Sequence, residues 1–149
     1  MIEIKLNNFA QVQNIASKYP QAAEKHINKG IAKIFVKILN RVTVNAPFGV
    51  TGHLRDNWES KIGGFEGSLK SKSSYSGSVE YGTRPHAVSG ASLKDWAMRR
   101  GLNPYAVAKS IAKKGTRANP FLKKTSLEVN AELDQILQET INNITKDVL

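Results

Sequence analysis

The sequence has no cysteine, so it forms no disulfide and offers no thiolate to a metal. It also lacks a long apolar run. Its most hydrophobic stretch, Ile31 to Leu39, is broken by Lys33 and Lys37, whereas a membrane-spanning helix needs about 20 mostly apolar residues. The opening residues, Met1-Ile2-Glu3-Ile4, lack the basic-then-apolar layout of a signal peptide. Synthesis in the cytoplasm is therefore expected. Acidic residues are scarce: 12 Asp and Glu stand against 22 Lys and Arg, a net charge of +10. That excess favours an anionic partner, whether nucleic acid, an acidic protein or a membrane surface.

Catalytic signatures are also missing. His26, His53 and His86 are far apart and share no short ligand spacing. No HExxH, EF-hand loop or phosphate-cradling glycine motif appears, and no serine sits in a nucleophile elbow. No cofactor and no metal are expected. The one acid–base pair left open is His86 with Glu80; the alternative is a loop histidine bonded to backbone. What is present is ordinary globular composition, 40% hydrophobic and 23% charged over 149 residues. A single domain of this length buries roughly 68–70% of its unfolded surface.

Charge is distributed unevenly. Residues 1–50 carry seven bases and two acids, residues 51–118 twelve and five, and residues 119–149 three and five. The acidic last segment complements a basic body, and the two can pair within a subunit or between neighbours.

Periodicity divides the chain. Leu6, Phe9, Val12, Ala16 and Tyr19 predict a helical segment over 1–20. Pro20 suits the first turn of a second helix, which carries Ile27, Ile31, Ile34, Phe35, Ile38, Leu39 and Val42 on one side. Lys25, Lys29, Lys33, Lys37 and Arg41 recur every four residues on another side. That stripe is either a solvated face or an electrostatic surface for phosphates or an acidic neighbour. Pro47 ends the helix and pushes Ala46 out of the helical region.

Residues 59–83 are rich in glycine and serine, with roughly alternating apolar positions that predict two to four short antiparallel strands between Trp58 and Thr83. Ser78 to Tyr81 is one of them. Thr51 is expected to cap a short turn with Leu54 inward and Arg55 outward, and Gly52 to supply a positive φ. Ser92 and Gly101 bound one later helix, Pro104 and Gly115 another. Pro120 precedes a long final helix with Leu122, Val129, Leu133, Ile136, Leu137, Ile144 and Val148 on one stripe. The expected class is α+β: long N- and C-terminal helices packed on a small antiparallel sheet, with a short helical insert.

The ordered segments Ala46-Pro47, Thr51-Gly52-His53-Leu54-Arg55, Val79 to His86, Leu93-Lys94-Asp95-Trp96-Ala97, Ile111 to Thr116 and Asn119-Pro120-Phe121-Leu122 resemble the neck or minor tail-component family of long-tailed bacteriophages, the tail completion or head–tail joining proteins. The similarity runs over roughly residues 20–145. Residues 84–118 form a helical insert of a kind whose length varies among members, and Asn57-Trp58 stands where a Ser-led strand start is expected.

The resemblance implies a non-enzymatic virion protein at the head–tail junction, located in the host cytoplasm during assembly. It implies a ring of six copies around the DNA channel. Its expected neighbours are head-closure or connector proteins and tail-tube or tail-terminator proteins, with non-specific DNA contact possible. Closure of a ring requires a heterologous interface. Candidates for that interface are Thr51, Gly52, Leu54, Arg55, Glu80, Tyr81, Gly82, Thr83, Arg84 and His86; Lys70 and Lys72 are candidates to face DNA. The alternative is a basic nucleic-acid-binding protein.

Overall fold

Pro20 opens the first long helix and Pro47 enforces its end. In the computed structural model, which describes residues 3–6, 17–64 and 66–148, helix α1 spans Pro20–Asn45 and Ala46 is already extended at ψ 139°. Ala23, Ile27, Ile31, Ile34, Phe35, Ile38 and Val42 of α1 are buried. These positions recur at three- and four-residue steps, which is one face of an α-helix. The last helix, α6, spans Phe121–Val148 and buries Phe121, Leu122, Thr125, Val129, Ile136, Thr140 and Ile144. The two stripes pack on each other as the main helix–helix contact. Each fully buried Ile or Leu contributes roughly 1.5–3 kcal/mol. Gly30 permits a close approach: a Cβ there would lie 2.6 Å from Thr140 Oγ1.

A three-stranded antiparallel sheet lies against α1. Strands β1 (Glu3–Leu6), β2 (Trp58–Gly63) and β3 (Glu66–Ser71) are ordered β1-β3-β2. Gly64, at φ +58°, turns the β2–β3 hairpin. Along β3 burial alternates, with Gly67, Leu69 and Ser71 inward. Gly67 is needed for contact, since a Cβ would meet Ile31 at 2.5 Å and Phe35 at 2.8 Å. The α+β class with two long terminal helices is thus the observed one. Among the described residues no helix is long and apolar enough to cross a membrane.

Two local expectations are corrected. Residues 3–6 are a strand, not part of a helix; they alternate as Glu-Ile-Lys-Leu and pair in register with Gly67 to Lys70. The rest of the expected first helix, residues 7–16, lies outside the described residues. Likewise Ser76–Tyr81 is a short helix, α3, rather than a strand. Ser76 and Glu80, four apart, are both buried there, and a six-residue run is too short for alternation to discriminate between the two structures. The N-terminal segment supplies the sheet's third strand instead.

The remaining elements are a one-turn helix α2 (His53–Asp56), a 3-10 turn at Ala91–Leu93, and helices α4 (Lys94–Met98) and α5 (Pro104–Lys114). The last three lie in the insert.

Candidate functional site

Charge pairing within the chain decides which surfaces are free. Helices α1 and α6 run antiparallel, so partner numbers rise on one as they fall on the other. His26 meets Asp147 at 2.6 Å, Lys33 meets Glu139, Lys37 meets Glu132, and Arg41 also reaches Glu132 at 3.4 Å. The Lys37 hydrogen bond and charge, then Arg41, hold the Glu132 carboxyl below its ordinary range. Lys33 does the same for Glu139, with Lys29 adding charge, and the His26 hydrogen bond lowers Asp147. The lysine stripe of α1 is therefore engaged, from Lys33 to Arg41, by the acidic last helix of the same chain. The opposite charges of the body and the last helix thus pair within the subunit.

Nothing comparable happens in the insert. Residues 84–117 hold eight Lys and Arg against one acid, Asp95, while residues 51–83 hold four of each. The whole basic excess of the middle region thus sits on the insert. Among the described residues none of its Lys or Arg is in a salt bridge. Arg100 stacks over the Trp96 ring at 4.4 Å, and Arg99 reaches the Val50 carbonyl only at 3.5 Å. The insert has almost no core: its buried residues are Gly90 and Ala97. No residue of α5 is buried. Val107, Ala108 and Ile111 are half-buried on its inner side, and Tyr105, Lys109 and Lys113 are exposed at four-residue steps on the outer side.

A small joint fixes this insert to the body. Thr83 and Thr116 form an isolated antiparallel bridge, each N–H donating to the other's carbonyl at 3.2 Å, with their hydroxyls 3.0 Å apart. Gly82 at φ +72° and Gly115 at φ +73° flank it. Only glycine fits: a Cβ on Gly115 would lie 1.9 Å from the Thr83 carbonyl oxygen, and one on Gly82 2.5 Å from that of Thr116. Beside the bridge, both carboxylate oxygens of Glu80 accept from backbone N–H groups at the start of α6, Leu122 at 2.8 Å and Lys123 at 3.0 Å. A carboxylate there satisfies two donors that have no intrahelical partner and complements the positive end of the helix dipole. The Asn119 N–H donates to the Val79 carbonyl at 2.8 Å. An open hollow of about 590 Å³ lies alongside, lined by Tyr81, Pro120, Lys123 and Ser126 among others.

The expected interface residues fall into two groups. Leu54, 2% exposed, belongs to the core and points inward as expected, and Glu80, 4% exposed, caps α6; both act inside the chain, which corrects their place among the interface candidates. Gly52 is buried at φ +75° under the Phe48 ring and heads α2 by its backbone alone; Thr51 makes no cap. Gly82 belongs to the joint. Arg55 is half-buried, donating from Nε to the Ala46 carbonyl at 2.8 Å and lying over Phe48 at 5.4 Å. Thr51, Tyr81 and Arg84 remain exposed, Tyr81 at 76%. His86 donates from Nδ1 to the Arg84 carbonyl at 2.9 Å. With Glu80 turned into α6, the His86–Glu80 acid–base pair is not formed, and His86 is the backbone-bonded loop histidine.

The stretches 51–55 and 81–86 share no hydrogen bond among the described residues. Lys70 and Lys72 are exposed, but Lys70 stands opposite Glu59 across the hairpin. The insert's concentration of unpaired charge was missed by the sequence reading, although a charge count taken from Arg84 rather than from Thr51 reveals it. The cap of α5 by Asn103, whose side chain accepts from Tyr105 and Ala106 N–H at 2.9 and 3.2 Å, was also legible as Asn before Pro. Comparisons of the chain with protein-family models, with curated proteins and with solved structures find no match.

Proposed function

We propose that this chain is a non-enzymatic structural protein of a long-tailed bacteriophage, acting at the head–tail junction as one subunit of a ring around the DNA channel. The observation that carries the reading is the joint. Segments that resemble the neck and tail-completion proteins, Val79 to His86 and Ile111 to Leu122, bind one another through the Thr83–Thr116 bridge and the Glu80 cap. They join a cationic insert, eight bases against one acid, to a body whose two long helices are linked by ion pairs. Such a division suits a subunit that packs by its body and meets other components by its insert.

The α1–α6 ion pairs engage Glu132, Glu139 and Asp147 within the chain, so subunit contacts in the ring draw on exposed apolar surface as well as on charge. Val36, Val44, Phe48 and Leu127 are exposed on the body and are available for it. A specific contact of this kind buries more than about 1,000 Å².

Negative-stain images of the purified chain, alone and with isolated DNA-filled heads, test the proposal. Closed rings, free or seated on the head exit, are expected. A chain that stays monomeric in both samples, or a phage that joins heads to tails normally without it, contradicts the proposal. The second reading, a nucleic-acid-binding protein with no place in a particle, is favoured by the same unpaired insert charge. It predicts tight DNA binding with no rings under either condition.

A further inference from the structure

We infer that the outer side of the insert binds the phosphate backbone of duplex DNA through Lys109, Lys113 and Lys114, without reading base sequence. The inference deepens the proposed function, on which it rests only for DNA as the polyanion at hand. Three observations lead to it.

The first is the charge imbalance of the insert. Its eight Lys and Arg stand against one acid, Asp95, and among the described residues none of them is in a salt bridge. Glu132, Glu139 and Asp147 of α6 are engaged by α1, so the insert presents its charge to a polyanion outside the chain.

The second is spacing. Lys109 and Lys113 follow Tyr105 at four-residue steps on the exposed side of α5, about 6 Å apart along the helix axis at 1.5 Å per residue. One DNA strand carries a charge every 3.4 Å or so along the duplex, so a pair with this spacing falls within two phosphate steps of one strand. Tyr105, 70% exposed, extends the same line.

The third is mounting. The Thr83–Thr116 bridge returns the chain to the body directly after α5, so the lysines start from a fixed base instead of a free tail. Lys113 and Lys114 also oppose the dipole at the end of α5. Lys109 lies outside that turn, so its role is separable from it.

The test is fluorescence anisotropy of a labelled 20-base-pair duplex titrated with the full chain between 50 and 200 mM salt. The wild type is expected to bind with a steep negative salt slope. The triple variant Lys109→Gln, Lys113→Gln, Lys114→Gln should flatten the log–log slope by about 2–3, at roughly 0.9 per lost phosphate contact. It should also weaken binding at 50 mM by about tenfold or more. Lysine-to-arginine changes at the same three positions should retain both properties. The body variant Lys18→Gln, Lys61→Gln, Lys146→Gln removes equal charge from exposed positions and should leave both within about twofold.

If the insert triple also unfolds at lower temperature, the single variant Lys109→Gln reads the same effect at about one unit of slope. No duplex binding by the wild type, an unchanged slope in the insert variants, an equal loss in the body variant, or tighter binding to poly-glutamate than to DNA overturns the inference. Negative-stain images of the same samples read ring formation separately. Rings without a salt-slope change remove only the DNA assignment, and a slope change without rings removes only the ring.

Discussion

The α1–α6 pair and the insert use the same residue types to opposite ends. In the helix pair, lysines face carboxylates across an antiparallel seam and isoleucines fill the space beneath them. In the insert, lysines and arginines face solvent, and the isoleucine of α5 is only half-covered. One region is held together by its side chains. The other is held mainly at its ends, by two threonines, two glycines and a capped helix start. The contrast teaches that net charge alone locates no binding surface: among the described residues four Lys and Arg are in ion pairs on the body, and it is the scarcity of acids among its bases that marks out the insert.

The largest contrast is expected in the core. Ile31→Ala removes a fully buried side chain and should cost about 2–5 kcal/mol. Ile111→Ala, half-exposed on α5, should cost far less. Denaturant melts of the two variants compare them directly, and equal losses would mean that the insert is as firmly packed as the helix pair.

Next comes the cap. Glu80→Ala leaves two helix N–H groups without their charged acceptor and should destabilise the fold by about 1–3 kcal/mol. Glu80→Gln, which keeps an acceptor, should recover part of that. Equal losses in the two variants would show that packing, not the carboxylate, matters at this position.

A smaller and more local effect is expected at the joint. Gly115→Ala places a methyl group against the Thr83 carbonyl oxygen. It should open the insert to limited proteolysis between residues 84 and 115 while the far-UV signal of the long helices is retained. Cleavage within α1 or α6 at the same protease level would show that the joint also supports the body.

The mildest effect is the pH response. Glu132, Glu139 and Asp147 titrate below their ordinary range in the folded chain. The unfolded chain therefore takes up protons first. The stability these groups contribute is complete above the ordinary carboxylate range, near pH 4, and is lost as pH falls through the lowered folded values. Lys33→Gln with Lys37→Gln should flatten the decline of melting temperature in this acid window. Lys109→Gln with Lys113→Gln should leave it unchanged; a flattening there would place ion pairs in the insert.

Much of the frame was legible because local signals and global packing agree. Pro20, Pro47 and Pro120 bracket the long helices, their apolar stripes have a clear helical period, and the Gly63-Gly64 pair marks the hairpin. Less legible was anything set by a distant partner. Ser76 to Tyr81 alternates like a strand, yet Glu80 must turn inward to meet Leu122 and Lys123. Glu3 to Leu6 has strand alternation, which a longer run of helically spaced residues after it obscured. The pairing of Lys33, Lys37 and Arg41 with Glu132 and Glu139 depends on the antiparallel seating of two helices about 100 residues apart in the chain, which no local pattern encodes. Of the site, the Gly82 and Gly115 stops and the Val79 to His86 stretch stood out in the sequence. That Thr83 meets Thr116 was visible only once the chain was folded.

Imaging the neck of an intact particle at side-chain resolution tests the central claim most directly. The account predicts a closed ring of this chain between head and tail, bodies side by side, with the Lys109 and Lys113 face of each insert turned toward the DNA column. A particle without the chain, or a ring whose inserts point outward to solvent, would contradict it.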